Sequence, residues 1–199
     1  MEDIYFTIAA ASEGLYKEKG SKFIAFAYPV STEDEIAEHL AVIRKKYYDA
    51  RHHCYAWRLG HELTHFRSND DGEPSGSAGL PILGQIRSKE LTNVVVVVVR
   101  YFGGVKLGVG GLVQAYKTAT ADAFTNAEIV ERTVDDVLTL DFDYLAMNDV
   151  MRIVKDHDLR MQAPVYELRC SMQLIVRRGM VGQISALLSK VENLTFEIN

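Results

Sequence analysis

Hydrophobic and polar positions alternate and recur along this chain with two periods, and the periods set out its elements. Val94 to Val99 is an unbroken run of six β-branched residues. Such a run predicts a strand buried on both faces, in the middle of a sheet. Apolar stretches at Ile4 to Ala10 and Phe23 to Val30 predict two further strands. The basic, turn-rich segment Gly14 to Lys22 lies between them, as the lysine-rich tip of a hairpin. Ile36, Leu40, Ile43 and Tyr47 fall on one face of a helix. Its start is marked by Thr32 and Glu35 at capping-box spacing, and its end by Arg44, Lys45 and Lys46. His53 to Leu59 reads as a strand, Phe66-Arg67 as a short one, and Ser77 to Ile86 as a short helix with Pro81 in its first turn. Leu112 to Ala127 reads as a helix whose small inward residues, Ala115, Ala119 and Ala123, predict close packing on the sheet.

Composition shifts near Val130 to Asp136, so the expected domains are 1–132 and 133–199. In the second, Leu138, Leu140 and Phe142 alternate, as do Leu168, Cys170, Met172, Leu174 and Val176, and later Leu194, Phe196 and Ile198. Met147, Val150, Met151 and Val154, and then Met180, Ile184, Leu187, Leu188 and Val191, sit at helical spacing. With a strand from Arg160 to Ala163 turning at Pro164, the order is β-α-β-β-α-β, the ferredoxin-like motif.

Composition narrows the function classes. Of 199 residues, 48% are apolar and 25% charged, a globular mix that excludes disorder and collagen-like structure. No apolar run approaches the roughly 20 residues of a membrane span. The start Met1-Glu2-Asp3 has no signal-peptide character. The expectation is a cytoplasmic protein without a membrane partner. A net charge of −5 argues against coating duplex DNA by bulk charge and leaves room for a local basic patch. Cys54 and Cys170 form neither a zinc spacing nor a disulfide framework and read as core residues.

Several patterns fail on context. His61-Glu62-Leu63-Thr64-His65 matches the zinc motif H-E-x-x-H, but it bridges two strands and lacks a helix to align its imidazoles. Gly103 to Gly108 has the glycine spacing of a nucleotide P-loop. Val109 and Gly110 stand where the lysine and hydroxyl belong. No metal or cofactor is expected. What survives is more general. A glycine-rich turn from strand into helix presents backbone N–H groups at the positive helix end and favours an anion. Lys22, His53, Tyr55, Arg100, Tyr101, Phe102, Gly103, Gly104, Lys106 and Gly108 are the candidate anion- or RNA-binding residues. Asp70, Asp71, Gly72, Glu73, Pro74, Ser75 and Gly76 form a candidate functional loop. It would bind a cation or basic partner, or else simply cap the next helix.

Lys17 to Phe23, Ala50 to Trp57, Asn69 to Gly79 and Val99 to Gly108 together closely resemble the IMPACT family, in its bacterial YigZ/YvyE-like branch. The resemblance spans nearly the whole chain. It implies an α+β protein of two domains: an IMPACT domain like the second domain of ribosomal protein S5, then a ferredoxin-like domain similar to one in elongation factor G. It also implies association with RNA, ribosomes or translation factors. Eukaryotic members restrain an initiation-factor kinase and carry an additional RWD domain, so that particular role is not transferred. The expected function is a non-enzymatic RNA- or ribosome-associated translation regulator that binds anions at its glycine-rich helix starts. The alternatives are a hydrolase-like enzyme acting on a small anionic or phosphorylated substrate, and a protein-interaction module.

Overall fold

The computed structural model describes residues 3–199, and the chain divides into two compact units, Tyr5–Arg132 and Thr133–Asn199, the latter joined by Asp3 and Ile4. Among the described residues, no helix is long and apolar enough to cross a membrane.

The larger unit is a three-layer sandwich. Its antiparallel sheet runs β2 (Ser12–Glu18), β3 (Ser21–Pro29), β6 (Val94–Tyr101), β4 (His52–Leu59), β5 (His65–Asn69). The valine strand β6 is central, as its composition predicts. Because successive side chains alternate, Val94, Val96 and Val98 pack with the core under helices α2 (Gly79–Ser88) and α3 (Gly108–Thr125). Val95, Val97 and Val99 pack under α1 (Glu33–Lys46) on the other face. Helix α1 begins as its sequence dictates: the Thr32 hydroxyl accepts from the Glu35 amide at 3.2 Å, and the Glu35 carboxylate reaches back to the Ser31 amide at 2.6 Å.

Two expectations about the N-terminal strands are corrected. The first hairpin joins β2 to β3, with Lys19 and Gly20 at positive φ in its tip, while β1 (Ile4–Ile8) pairs with β7 (Ile129–Thr133). Gly14 looks like a turn residue but lies inside β2. Its missing side chain is what the packing requires: a Cβ there would stand 2.3 Å from the Ala123 nitrogen and 2.5 Å from the Ala119 carbonyl oxygen of α3. Helix α3 also begins four residues earlier than its apolar period suggests, so Gly108, Gly110 and Gly111 form its first turn.

The smaller unit has the ferredoxin-like order. Strands β11 (Leu194–Ile198), β8 (Asp135–Asp143), β10 (Arg169–Arg177) and β9 (Arg160–Val165) lie side by side, antiparallel throughout. Helices α4 (Met147–Asp156) and α5 (Val181–Leu188) join the alternating residues Leu138, Leu140, Phe142, Cys170, Met172, Leu174 and Val176 in one core. Pro164 does not end β9. It sits at a register shift opposite β10, beside Ala163 at positive φ. An edge strand with a bulge can spare the N–H that proline lacks.

Glycines 14 and 84 provide a direct check. Gly14→Ala forces backbone apart and is expected to lower stability by about 2 kcal/mol, as overpacking does. Gly84→Ala, in α2 with nothing near its added methyl, is expected to raise stability by up to about 1 kcal/mol through helix propensity. Urea unfolding of the two variants measures both.

Candidate functional site

Strand alternation sorts the candidate residues before any contact is considered. His52 pairs in register with Arg100, and Cys54 with Val98, and all four face α2 and α3. His53, Tyr55 and Tyr101 therefore face α1. There the His53 Nε2–H donates to the Tyr47 carbonyl at 3.0 Å, Tyr55 is buried, and the Tyr101 hydroxyl donates to Asp49 at 2.8 Å. That bond, aided by burial, pushes the Tyr101 phenol up to about 12. Lys22 pairs in register with Tyr101 and lies in a groove with Ile24 and Tyr47. The structure thus places these four away from Arg100.

Around Arg100 the other candidates converge. A cleft of about 430 Å³ is walled by Arg100, Phe102, Lys106 and Gly108 on one side and by Gly72, Glu73 and Pro74 on the other. Arg51 and His52 complete it from β4 and the turn before it; Val109 and Leu112 complete it from α3. These last four are absent from the sequence-based set. For His52 the sequence signal was the two-residue period of β4, which separates it from His53. Gly103 is used internally. Its backbone lies against the hairpin tip, where a Cβ would collide with Gly20, and its amide donates to the Ser21 hydroxyl at 3.2 Å. Gly104 turns at φ +86°.

The acidic loop is fixed by its own carboxylates. Asp70 accepts the amides of Gly76 at 2.8 Å, Ala78 at 3.0 Å and Gly79 at 2.8 Å, and so caps α2. Burial pushes its pKa up, but the amides of Gly76, Gly79 and Ala78 outweigh it and hold the carboxyl below the usual range. The start of α2 is therefore filled by the protein itself, and the expectation that both glycine-rich helix starts are open to an anion is corrected on this side. Asp71, at φ +43°, accepts the His53 amide at 2.7 Å with its side chain. Its carbonyl accepts the His52 Nδ1–H at 2.8 Å. Glu73 turns inward and is almost wholly buried. Its Oε1 accepts from Arg100 Nη1 at 2.5 Å and from the Tyr116 hydroxyl at 2.8 Å.

Arg100 is equally buried. Its guanidinium lies 5.4 Å from the Phe23 ring centre and 5.6 Å from that of Phe102, within cation–π range. Nη1 is bound to Glu73, but the buried Nε–H has no acceptor among the described residues. Among the described residues, no side chain caps the start of α3. Its first-turn amides, the positive end of an 18-residue helix, thus belong to the same neighbourhood as Arg100 and Lys106. Cys54 lies behind, 3.2 Å from the Tyr116 hydroxyl, and burial pushes its thiol far up, so it is no thiolate at neutral pH. Residues 61–64 form the β4–β5 turn, with Leu63 at positive φ, and His65 begins β5, which is not the helix that the zinc motif needs.

The Impact N-terminal domain, as a family model, matches residues 19–124, the span that contains this cleft. The chain is 31% identical over 189 residues to IMPACT family member YvyE of Bacillus subtilis (strain 168), covering 95% of this chain and 87% of that one. It is 30% identical over 173 residues to IMPACT family member YigZ of Escherichia coli (strain K12), covering 86% and 85%. A crystal structure described as that of a hypothetical protein superposes with a TM-score of 0.77 at 27% identity, covering 98% of this chain and 97% of the other.

The Asp70 cap carries a pH signature. Its folded pKa lies below the unfolded value of about 3.9. The carboxylate therefore contributes stability above about pH 4 and loses it as pH falls through the folded value. Asp70→Ala is expected to cost about 1–2 kcal/mol at pH 7, and the deficit is expected to shrink below pH 4. Thermal denaturation across pH 2.5–7 checks it.

Proposed function

The chain belongs to the IMPACT family, and from that premise we propose that it is a non-enzymatic, RNA- or ribosome-associated protein of translational regulation whose cleft receives a phosphate group. The observation that carries the reading is the uncapped start of α3, placed in one cleft with Arg51, Arg100 and Lys106. A helix N-terminus bears roughly half a positive charge and several free N–H groups, and anions settle there. Phe102, 43% exposed at the cleft, offers a face for a base. One such stack contributes about 1–3 kcal/mol. The net charge of −5 makes this local patch, rather than the whole surface, the source of attraction.

The translational part of the reading comes from the family resemblance, in which eukaryotic members are regulators of translation. The Gly20–Ser21 contact with Gly103 is consistent with the lysine hairpin tip and the cleft acting on one nucleic-acid strand. Lys19 stands in the turn that touches the loop leading to α3, while Lys17 and Lys22 pair across β2 and β3 on the face turned toward α1.

Binding of single-stranded RNA is expected to weaken as salt rises, with Lys106→Ala reducing the slope of log K against log salt by about 0.7, one phosphate contact. The protein is also expected to sediment with ribosomes and to be released by nuclease or high salt. Salt-independent affinity, or no affinity for RNA or ribosomes, contradicts the reading.

A further inference from the structure

We infer that the cleft takes a single nucleotide bearing a terminal phosphomonoester, free or at the end of an RNA chain, rather than the interior of a strand; this rests on the phosphate-binding reading above. Three features of the site select that ligand.

Charge is the first. Arg51, Arg100 and Lys106 stand against one carboxylate, Glu73, leaving about two positive charges, to which the α3 start adds its partial charge. An internal phosphodiester brings one negative charge. A phosphomonoester brings about 1.5 to 2 at neutral pH, with three acceptor oxygens. Only the monoester balances the cleft.

Donor geometry is the second. The helix start supplies amides, and a side chain independent of the helix supplies another donor. Arg100 is more than nine-tenths buried, Nη1 is spent on Glu73, and Nε–H lacks an acceptor. A buried donor without a partner is a cost to the empty protein. A ligand oxygen that reaches it removes that cost. A terminal phosphate has three oxygens to share among such donors, whereas a diester commits two of its four oxygens to the chain.

Size and lining are the third. About 430 Å³ is at the small end of ligand pockets. Surfaces that track a strand carry several aromatic platforms along a groove. This cleft has one phenyl ring, Phe102, and no tyrosine or tryptophan among its lining residues. One platform holds one base.

The test uses the intact protein and short, 3′-labelled hexaribonucleotides, read by fluorescence anisotropy. One carries a 5′-phosphate and one a 5′-hydroxyl; AMP and adenosine serve as unlabelled competitors. The phosphorylated oligomer is expected to bind at least tenfold tighter than the hydroxyl form, and AMP to compete where adenosine does not. Gly110→Asp places a carboxylate in the first turn of α3, at a position with open space around it. That acid favours the helix, so the variant is expected to melt no lower than the parent while losing the tenfold preference. Equal binding of both oligomers, or a preference that survives Gly110→Asp, overturns the inference and leaves RNA binding intact. Competition between AMP and a labelled 5′-AMP probe without binding of either oligomer keeps the terminal phosphate and overturns the RNA reading. Absence of binding by oligomers and by AMP alike overturns both.

Discussion

A buried guanidinium at the end of a hydrophobic strand sets the conditions for everything around it. Arg100 follows six valines in β6 and stays on the face that packs under α2 and α3. Taking such a charge out of water costs several kcal/mol unless it is paired and its hydrogen bonds are met. Glu73 supplies the pairing, Tyr116 supplies Glu73 with a second donor, and the rings of Phe23 and Phe102 flank the guanidinium. One residue thereby ties the central strand, the 70–78 loop and α3 together. Removing either member of such a pair typically costs about 3–5 kcal/mol, because the other is left charged and alone. The arrangement is more costly than an apolar core would be. Its exposed consequence is a cationic wall beside an open helix start.

The two glycine-rich helix starts show how similar sequences reach opposite states. Both open on a glycine, Gly79 in α2 and Gly108 in α3. Before α2, Asp70 lies within reach of the free amides and fills them. Before α3, the preceding residues are Val105, Lys106 and Leu107, which include no short acceptor, so no side chain caps the helix. The presence or absence of one short acceptor decides whether the first-turn amides are filled by the protein's own side chain or left without one.

Local signals in the sequence were strong where one physical effect dominated. The valine run, the Thr32 cap and the alternating strands of the C-terminal unit each specify their element. The two-domain α+β class follows from them together with the family motifs. The misreadings have a common source, since glycine serves both turning and close approach. Gly14 and Gly103 lack side chains because backbone lies against them, and no local pattern reveals the backbone of a distant segment. Pairing of β1 with β7 is likewise non-local. Within the site, Arg100, Phe102, Lys106, Gly108 and Glu73 were legible as motif residues. Period-two alternation was enough to separate Tyr101 and His53 from them. The inward turn of Glu73 and the capping by Asp70 depend on the packed loop and were not legible.

The central claim is that the first turn of α3 and the Arg100 guanidinium act as one anion receptor. Backbone and arginine side-chain NMR resonances followed through a titration with inorganic phosphate test it most directly. The account predicts that the amides of Val109, Gly110 and Gly111 and the Nε–H of Arg100 shift together, with one saturation curve, while those of Gly76, Ala78 and Gly79 stay still. Shifts confined to the lysine hairpin tip, or movement at the Asp70-capped amides instead, would contradict it.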